Sequence, residues 1–325
     1  MKYSIILRAY NVGNFLRKSV KSVQQQSCSD WELIIVNDGS ADNTGEIADE
    51  FAQEDNRIKV VHQENKGCLM ATLAGIAAST GLYVAVLDAD DWYERDYLAK
   101  VDAAVQRFDP DMIVMNYHVV NNSEILERFR LVKQEGITSC QNVIMRVLET
   151  TNSALWNKVV KRDKIQYSRE YACFLEEMGK SANFGDDLYQ LMPVLCKCDC
   201  IYQLEACLYN YYVNEDSVTH QSIPVSWEAL HQRIRLMETT YRTIQENGMM
   251  TVEIEGLIQR NCLRFSLPII VELVKERNLN RENLFRLKNN TFYKDIVASI
   301  PYVKLKELTN RKRIILFRLF NFIAT

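Results

Sequence analysis

The chain has 325 residues, of which 47% are hydrophobic and 25% charged, with a formal net charge of −3. Those are globular values, the slight acidity argues against a nucleic-acid binder, and no apolar run reaches the ~20 residues of a membrane-spanning helix. The nine cysteines are odd in number and irregular in spacing, and the N-terminus enters a strand-like run at once, with no secretory signal, so a reducing cytoplasm is the expected compartment.

Tyr3-Ser4-Ile5-Ile6-Leu7 reads as a short buried strand that runs into a loop at Ala9-Tyr10-Asn11. Asn14 is a candidate cap for a helix to about residue 26, with Phe15, Leu16, Val20 and Val23 on one face. Residues 31–36 form a second strand, which ends in the turn Asn37-Asp38-Gly39-Ser40. Asp42 or Asn43 is expected to cap the next helix, which carries Ile47, Ala48 and Phe51. A third strand at 58–61 is followed by the turn Asn65-Lys66-Gly67 and a small-residue helix over 71–78.

Tyr83-Val84-Ala85-Val86-Leu87 then runs straight into Asp88-Ala89-Asp90-Asp91. An apolar run of this kind is a strand buried on both faces, and the acids fall just past its C-terminal end, where open α/β sheets bind their ligands. Three carboxylates so close repel one another, and a cation offsets that repulsion. Asp88 and Asp90, at i and i+2, can converge on one hard divalent ion. The plainer alternative is an acidic turn in which Asp90 or Asp91 caps the next helix, expected over 94–108. A fifth strand follows at 111–115.

This alternation predicts a parallel, doubly wound sheet with the strand ends Tyr10, Asp38 and Asp88 on one edge. The first strand is not followed by Gly-x-Gly-x-x-Gly, so a dinucleotide-binding fold has no direct support. From about 116 the pattern turns mixed. A helix is expected at 141–149, a short strand or turn at 155–160, and a helix at 185–196. Residues 201–204 and 208–212 look like two antiparallel strands. Beyond Pro224 the chain reads as helices, at 227–245, 252–275 and 282–287. The expected organisation is a domain over 1–222 and a helical module over 223–325. Cys196-Lys197-Cys198-Asp199-Cys200 has poor zinc geometry without a second pair and is read as incidental.

Residues 3–220 resemble the family 2 glycosyltransferases of the GT-A fold. The resemblance rests on Ser4-Ile5-Ile6-Leu7-Arg8-Ala9-Tyr10-Asn11, on 36–44, on Asn65-Lys66-Gly67, on Gly81-Leu82-Tyr83 and on Leu87-Asp88-Ala89-Asp90-Asp91. It continues through Trp156-Asn157-Lys158, Gly185-Asp186-Asp187-Leu188 and 212–219. Arg8 stands where the family usually has Pro, a departure read as one of loop shape. Asp186 stands where Glu is commoner.

The resemblance implies a GT-A mostly parallel sheet flanked by helices. It also implies an inverting, metal-dependent transfer of a sugar from a UDP-sugar to a hydroxyl of a glycan, lipid-linked glycan or wall polymer. Nucleotide contacts are implied at Ala9, Tyr10, Asn11, Asp38, Lys66, Gly67, Asp88 and Ala89. Asp38 would read the base, since a carboxylate accepts from a ring N–H. Asp90 is the expected ligand of Mn²⁺ or Mg²⁺, with Asp88 and His220 completing the set. Asp187 is the expected general base. Trp156, Asn157, Lys158 and Asp186 are the expected acceptor contacts. The bland readings are a turn-forming Asp38, a core Trp156, a solvated Lys158, a surface His220 and a helix-capping Asp186 or Asp187.

Residues 304–325 combine six cations with a dense apolar run. Such a tail either lies in an anionic membrane interface on the cytoplasmic side or packs on protein, its own domain or a second copy in a homo-oligomer. Two rivals stay open. A nucleotidyltransferase would show a Gly-rich phosphate loop after the first strand, and a degenerate scaffold protein should have lost an acid, yet Asp38, Asp88, Asp90 and Asp187 are all present.

Overall fold

The computed structural model describes residues 1–121, 124–167, 171, 173–175, 185–213, 225–275, 282, 285, 287, 289–293 and 295. Ser217-Val218-Thr219, His220, residues 283, 284 and 286 and the 304–325 tail lie outside these. The chain divides into two compact units, Met1–Gln221 and Ser222–Thr325.

The first unit is built on β1 (Tyr3–Ala9), β2 (Trp31–Asp38), β3 (Ile58–Gln63) and β4 (Tyr83–Asp88), all parallel in the order β3-β2-β1-β4. Three helices make the crossovers: α1 (Gly13–Gln24), α2 (Thr44–Glu54) and α3 (Cys68–Ala78). Alternation along the strands sorts their side chains between two faces. Ile5, Leu7, Leu33 and Ile35 join Leu16, Val20, Val23, Ile47 and Phe51 from α1 and α2 in one core. Ile6, Ile34, Val36 and Val84 face the other way, against Ala71 of α3. Gly75 lets α3 come down on β1, since a Cβ there would stand 2.2 Å from the Ile6 side chain.

Past β4 come β5 (Trp92–Tyr93), α4 (Tyr97–Phe108), β6 (Met112–Asn121), β7 (Glu124–Phe129), β8 (Gly136–Thr138), α5 (Cys140–Thr150) and β9 (Lys158–Lys161). They are followed by α6 (Asp186–Leu195) and β10 (Ile201–Tyr212). The sheet continues β4-β9-β6-β10-β5, with β7 on β6 and β8 on β10. β9 enters antiparallel between β4 and β6, so the fifth strand does not extend the parallel set directly. The two antiparallel strands expected at 201–204 and 208–212 are one strand, β10, parallel to β6, with register shifts between Leu204 and Tyr209. Those irregularities broke the alternation and made one strand read as two.

The starts of α1 and α4 differ from expectation, while at α2 one of the two expected candidates, Asp42, serves. Asn14 is exposed inside α1, whose N-cap is Val12. Asn43 occupies the N-cap of α2 without a side-chain bond; Asp42 serves that end instead, Oδ1 accepting from Thr44 N at 3.0 Å and Oδ2 from Gly13 N at 3.1 Å. α4 begins at Tyr97 behind Asp96, because Trp92 and Tyr93 pair with Asn210 and Tyr209 first. Neither Asp90 nor Asp91 caps it.

In the second unit, α7 (Trp227–Glu246) opens with Ser226 Oγ accepting from Ala229 N at 3.0 Å and packs on α8 (Val252–Lys275). Leu230, Ile234, Met237, Ile254, Ile258 and Cys262 form its buried face. Among the described residues no helix is long and apolar enough to cross a membrane.

Candidate active site

The same alternation that sends Ile6, Ile34 and Val86 toward α3 sends Arg8, Asp38 and Asp88 to that face too, one strand end after another. Arg8 stands directly opposite Asp88 in the parallel β1–β4 register. A charge at that depth needs a partner. Arg8 is 9% exposed, and its Nε and Nη2 both donate to Asp88 Oδ1, the first at 2.8 Å. Its Nη1 turns outward to Asp187 Oδ1 at 3.3 Å and Thr72 Oγ1 of α3 at 3.4 Å. One guanidinium therefore joins β1, β4, α3 and α6.

Asp187 lies in the first turn of α6, behind Gly185, which holds the left-handed φ of 75° at the N-cap. Its Oδ2 accepts from Leu155 N at 3.4 Å. Burial, with Asp186 and Asp88 nearby, pushes the Asp187 carboxyl up to about 7, and the Arg8 charge opposes that rise. A carboxyl poised there can take or give a proton near neutral pH. Asp186, one residue earlier, is half-buried and opens the helix.

Asp38 is buried, and its carboxylate organises the neighbouring turn. Oδ1 accepts from Gln63 Nε2 at 2.6 Å and Lys66 N at 2.9 Å, while Oδ2 accepts from Gly67 N at 2.9 Å. Gly67 is the N-cap of α3, so the acid also sits where the helix dipole favours it. Gly39, at φ +73°, allows this close approach: a Cβ there would meet Asn65 N at 2.6 Å. Ala9 ends β1 and is buried, Tyr10 and Asn11 are exposed beyond it, and Asn11 Oδ1 accepts from Ala41 N at 2.8 Å.

The acidic turn after β4 is held from below. Ser19 Oγ donates to Ala89 O at 2.7 Å and to Asp91 O. Asp91 is buried, accepting from Tyr209 Oη at 2.5 Å and Tyr212 N at 2.7 Å. Burial and the charges of Asp88 and Asp90 push its carboxyl well up. Asp91 thus ties the turn to the end of β10. Asp88 and Asp90 are half-buried at the strand end. Asp88 gives Oδ1 to Arg8 and leaves Oδ2 without a partner among the described residues. Two hard-oxygen carboxylates at a strand end are donor chemistry that suits Mg²⁺ or Mn²⁺. Among the described residues no three His, Cys, Asp or Glu side chains form a self-contained metal cage. His220 lies outside the described residues.

Trp156, Asn157 and Lys158 stand elsewhere than expected. They are 7%, 0% and 1% exposed, too deep for an acceptor sugar to touch. Trp156 stacks on Tyr209 and Tyr211 and meets Tyr117 edge-on. Asn157 Nδ2 donates to Met115 O, and Lys158 Nζ to Ala154 O and Asn157 Oδ1. Burial pushes Lys158 down to about 7, against the pull of Asp187. The three are a satisfied interior turn that aims Leu155 N at Asp187. The thiols of Cys140 and Cys198 donate to the Leu195 and Val194 carbonyls inside the protein.

Arg8 and Thr72 were missed as site residues. The available signal was a charge at the end of a strand otherwise buried throughout, which requires a counter-charge on a neighbouring strand.

A model described as "Glycosyl transferase family 2" matches residues 4–162. The chain is 29% identical over 243 residues to glycosyltransferase GlyA of Streptococcus pneumoniae, covering 73% of this chain and 34% of GlyA. It is 37% identical over 122 residues to glycosyltransferase GlyG of the same organism, covering 37% of this chain and 40% of GlyG. The matches therefore span well under half of either relative. In structure it is similar to residues 1–349 of S. aureus TarS in complex with UDP-GlcNAc, with a TM-score of 0.71 at 15% identity, covering 100% of this chain and 89% of the other. That likeness is one of fold, and the architecture is GT-A.

Proposed function

With residues 4–162 matched by the glycosyl transferase family 2 model, we propose that the protein transfers a sugar from a UDP-sugar to a hydroxyl of a glycan, lipid-linked glycan or wall polymer, with inversion. The observation that carries this reading is the Arg8 guanidinium, which brings Asp88 of the β4 turn and Asp187 of α6 to a single cation.

Asp187 accepts the proton of the acceptor hydroxyl. The acceptor oxygen then bonds to the anomeric carbon from the face opposite the departing UDP, and the bond from that carbon to the diphosphate oxygen breaks. One displacement inverts the centre. Asp38 fixes the 65–67 turn, and its Oδ2, with one partner, offers an acceptor to a base N–H. Exposed Tyr10 and Asn11 frame the base. Asp90 and Asp88 would hold a divalent cation shared with the donor diphosphate, which supplies charge neutralisation for the leaving group. Asp186 is the acceptor contact retained from the sequence. The 304–325 tail is proposed to bring the enzyme to lipid-linked acceptors at an anionic membrane surface.

Two features support the donor class: a TarS structure of the same fold was solved with UDP-GlcNAc, and an acidic pair stands at the end of β4. The test is a panel of nucleotide sugars, with UDP release followed under Mg²⁺ or Mn²⁺ and after chelation. The expected result is turnover with a UDP-sugar that chelation abolishes and added cation restores. Full activity after chelation would remove the metal from the mechanism. Binding without turnover across the panel would favour a scaffold.

A further inference from the structure

We infer that Arg8 is the positioning residue of this site, holding the donor-side carboxylate Asp88 and the proton-accepting carboxylate Asp187 in fixed relation. The inference rests on the reading of Asp187 as the base.

Three observations carry it. First, Arg8 belongs to β1, in the middle of the parallel set, so its backbone is among the most constrained in the sheet. Second, its fork is divided: Nε and Nη2 go to Asp88, Nη1 to Asp187 and Thr72. Thr72 Oγ1 donates in turn to Cys68 O at 2.9 Å, which fixes its lone pairs toward Arg8. Third, among the described residues Asp187 has two hydrogen-bond partners, Arg8 and the backbone N–H of Leu155. Arg8 is the side chain that references the base to the sheet carrying the Asp88 turn.

A buried ion triad is weak evidence for stability in itself, since desolvation offsets most of the attraction. A planar fork nevertheless fixes two carboxylates in orientation as well as distance, which a lysine ammonium, a point charge, does not. Reactions that depend on a base facing an acceptor oxygen are sensitive to this, because a displacement of about 1 Å can lower the rate by ~10²-fold. Arg8 touches neither substrate in this scheme and acts through the two acids.

The experiment is a double-mutant cycle on the full chain with a donor the wild type turns over. It compares wild type, Arg8→Met, Arg8→Lys, Asp187→Asn and the Arg8→Met/Asp187→Asn pair, reading kcat and donor KM separately. Arg8→Met is expected to lower kcat by about 10²-fold, with the smaller effect on donor KM, and Arg8→Lys to recover part of the loss. In the Asp187→Asn background, Arg8→Met should cost far less than the ~10²-fold it costs in the wild type, because the path through the base is already gone and only the Asp88 side is left. Equal fold-losses in both backgrounds would overturn the inference, as would wild-type kcat in folded Arg8→Met. If Arg8→Met does not fold, Arg8→Lys decides: folded with wild-type kcat, it refutes the need for the fork. A wild type inactive with every donor would strike at the reading of the activity instead.

Discussion

The turn after β4 and the turn before β9 stand at the same end of the sheet, because β9 runs antiparallel to β4. Both carry polar residues in motif-like strings, yet they differ in where those residues go. Asp88 and Asp90 stay half-buried at the strand end, with Asp88 shared out to Arg8. Trp156, Asn157 and Lys158 turn inward and satisfy one another and the strands beneath. The same kind of sequence string thus leaves carboxylates at the strand end in one turn and a saturated interior in the other. Burial and hydrogen-bond saturation distinguish them.

The comparison breaks most sharply at Asp187, which both turns support. Asp187→Asn is expected to lower kcat by about 10²- to 10⁴-fold, the usual range for losing a general base, while UDP binding by calorimetry stays near wild type. Loss of binding alongside turnover would make Asp187 a donor residue.

Trp156→Ala tests the scaffold side. Removing a buried, doubly stacked aromatic should lower stability by about 3–5 kcal/mol, read as a shifted denaturant midpoint with unchanged slope. Turnover per folded molecule should change little. A variant of wild-type stability with a raised acceptor KM would return Trp156 to the acceptor site.

Lys158→Met should have the smallest effect, with kcat within about threefold of wild type, as for a residue that touches no reacting atom. Its signature is in stability. The Lys158 amine is held down to about 7, so above that pH the unfolded chain binds its proton more readily than the native one. The wild type should therefore gain on Lys158→Met as pH rises from about 7 into the ordinary lysine range. Melting temperatures at the two ends of that window check the sign, and a difference independent of pH would mean a charged, solvated Lys158.

Much of the first four strands was legible, because buried parallel strands are short apolar runs and their crossovers are helices with a clear apolar stripe. The convergence of Asp38 and Asp88 followed from that topology. The second half of the sheet was less legible for two reasons. β10 is irregular between Leu204 and Tyr209, and β9 is only four residues long. Arg8 shows a subtler limit. In the sequence it reads as a change of loop shape, and only the register with Asp88 reveals it as a partner. Lys158 shows the opposite limit, since a lysine in a polar string gives no sign that its amine is buried on two oxygens of its own turn.

The central claim is that Asp187, raised by burial and restrained by Arg8, removes the acceptor proton. The pH dependence of kcat at saturating donor tests it most directly. The base works ionised, so the rate should rise about tenfold per pH unit below about 7 and level off above it, and that limb should vanish in Asp187→Asn. A rate flat from about pH 5 to 8, or a limb that survives in Asp187→Asn, would contradict the account.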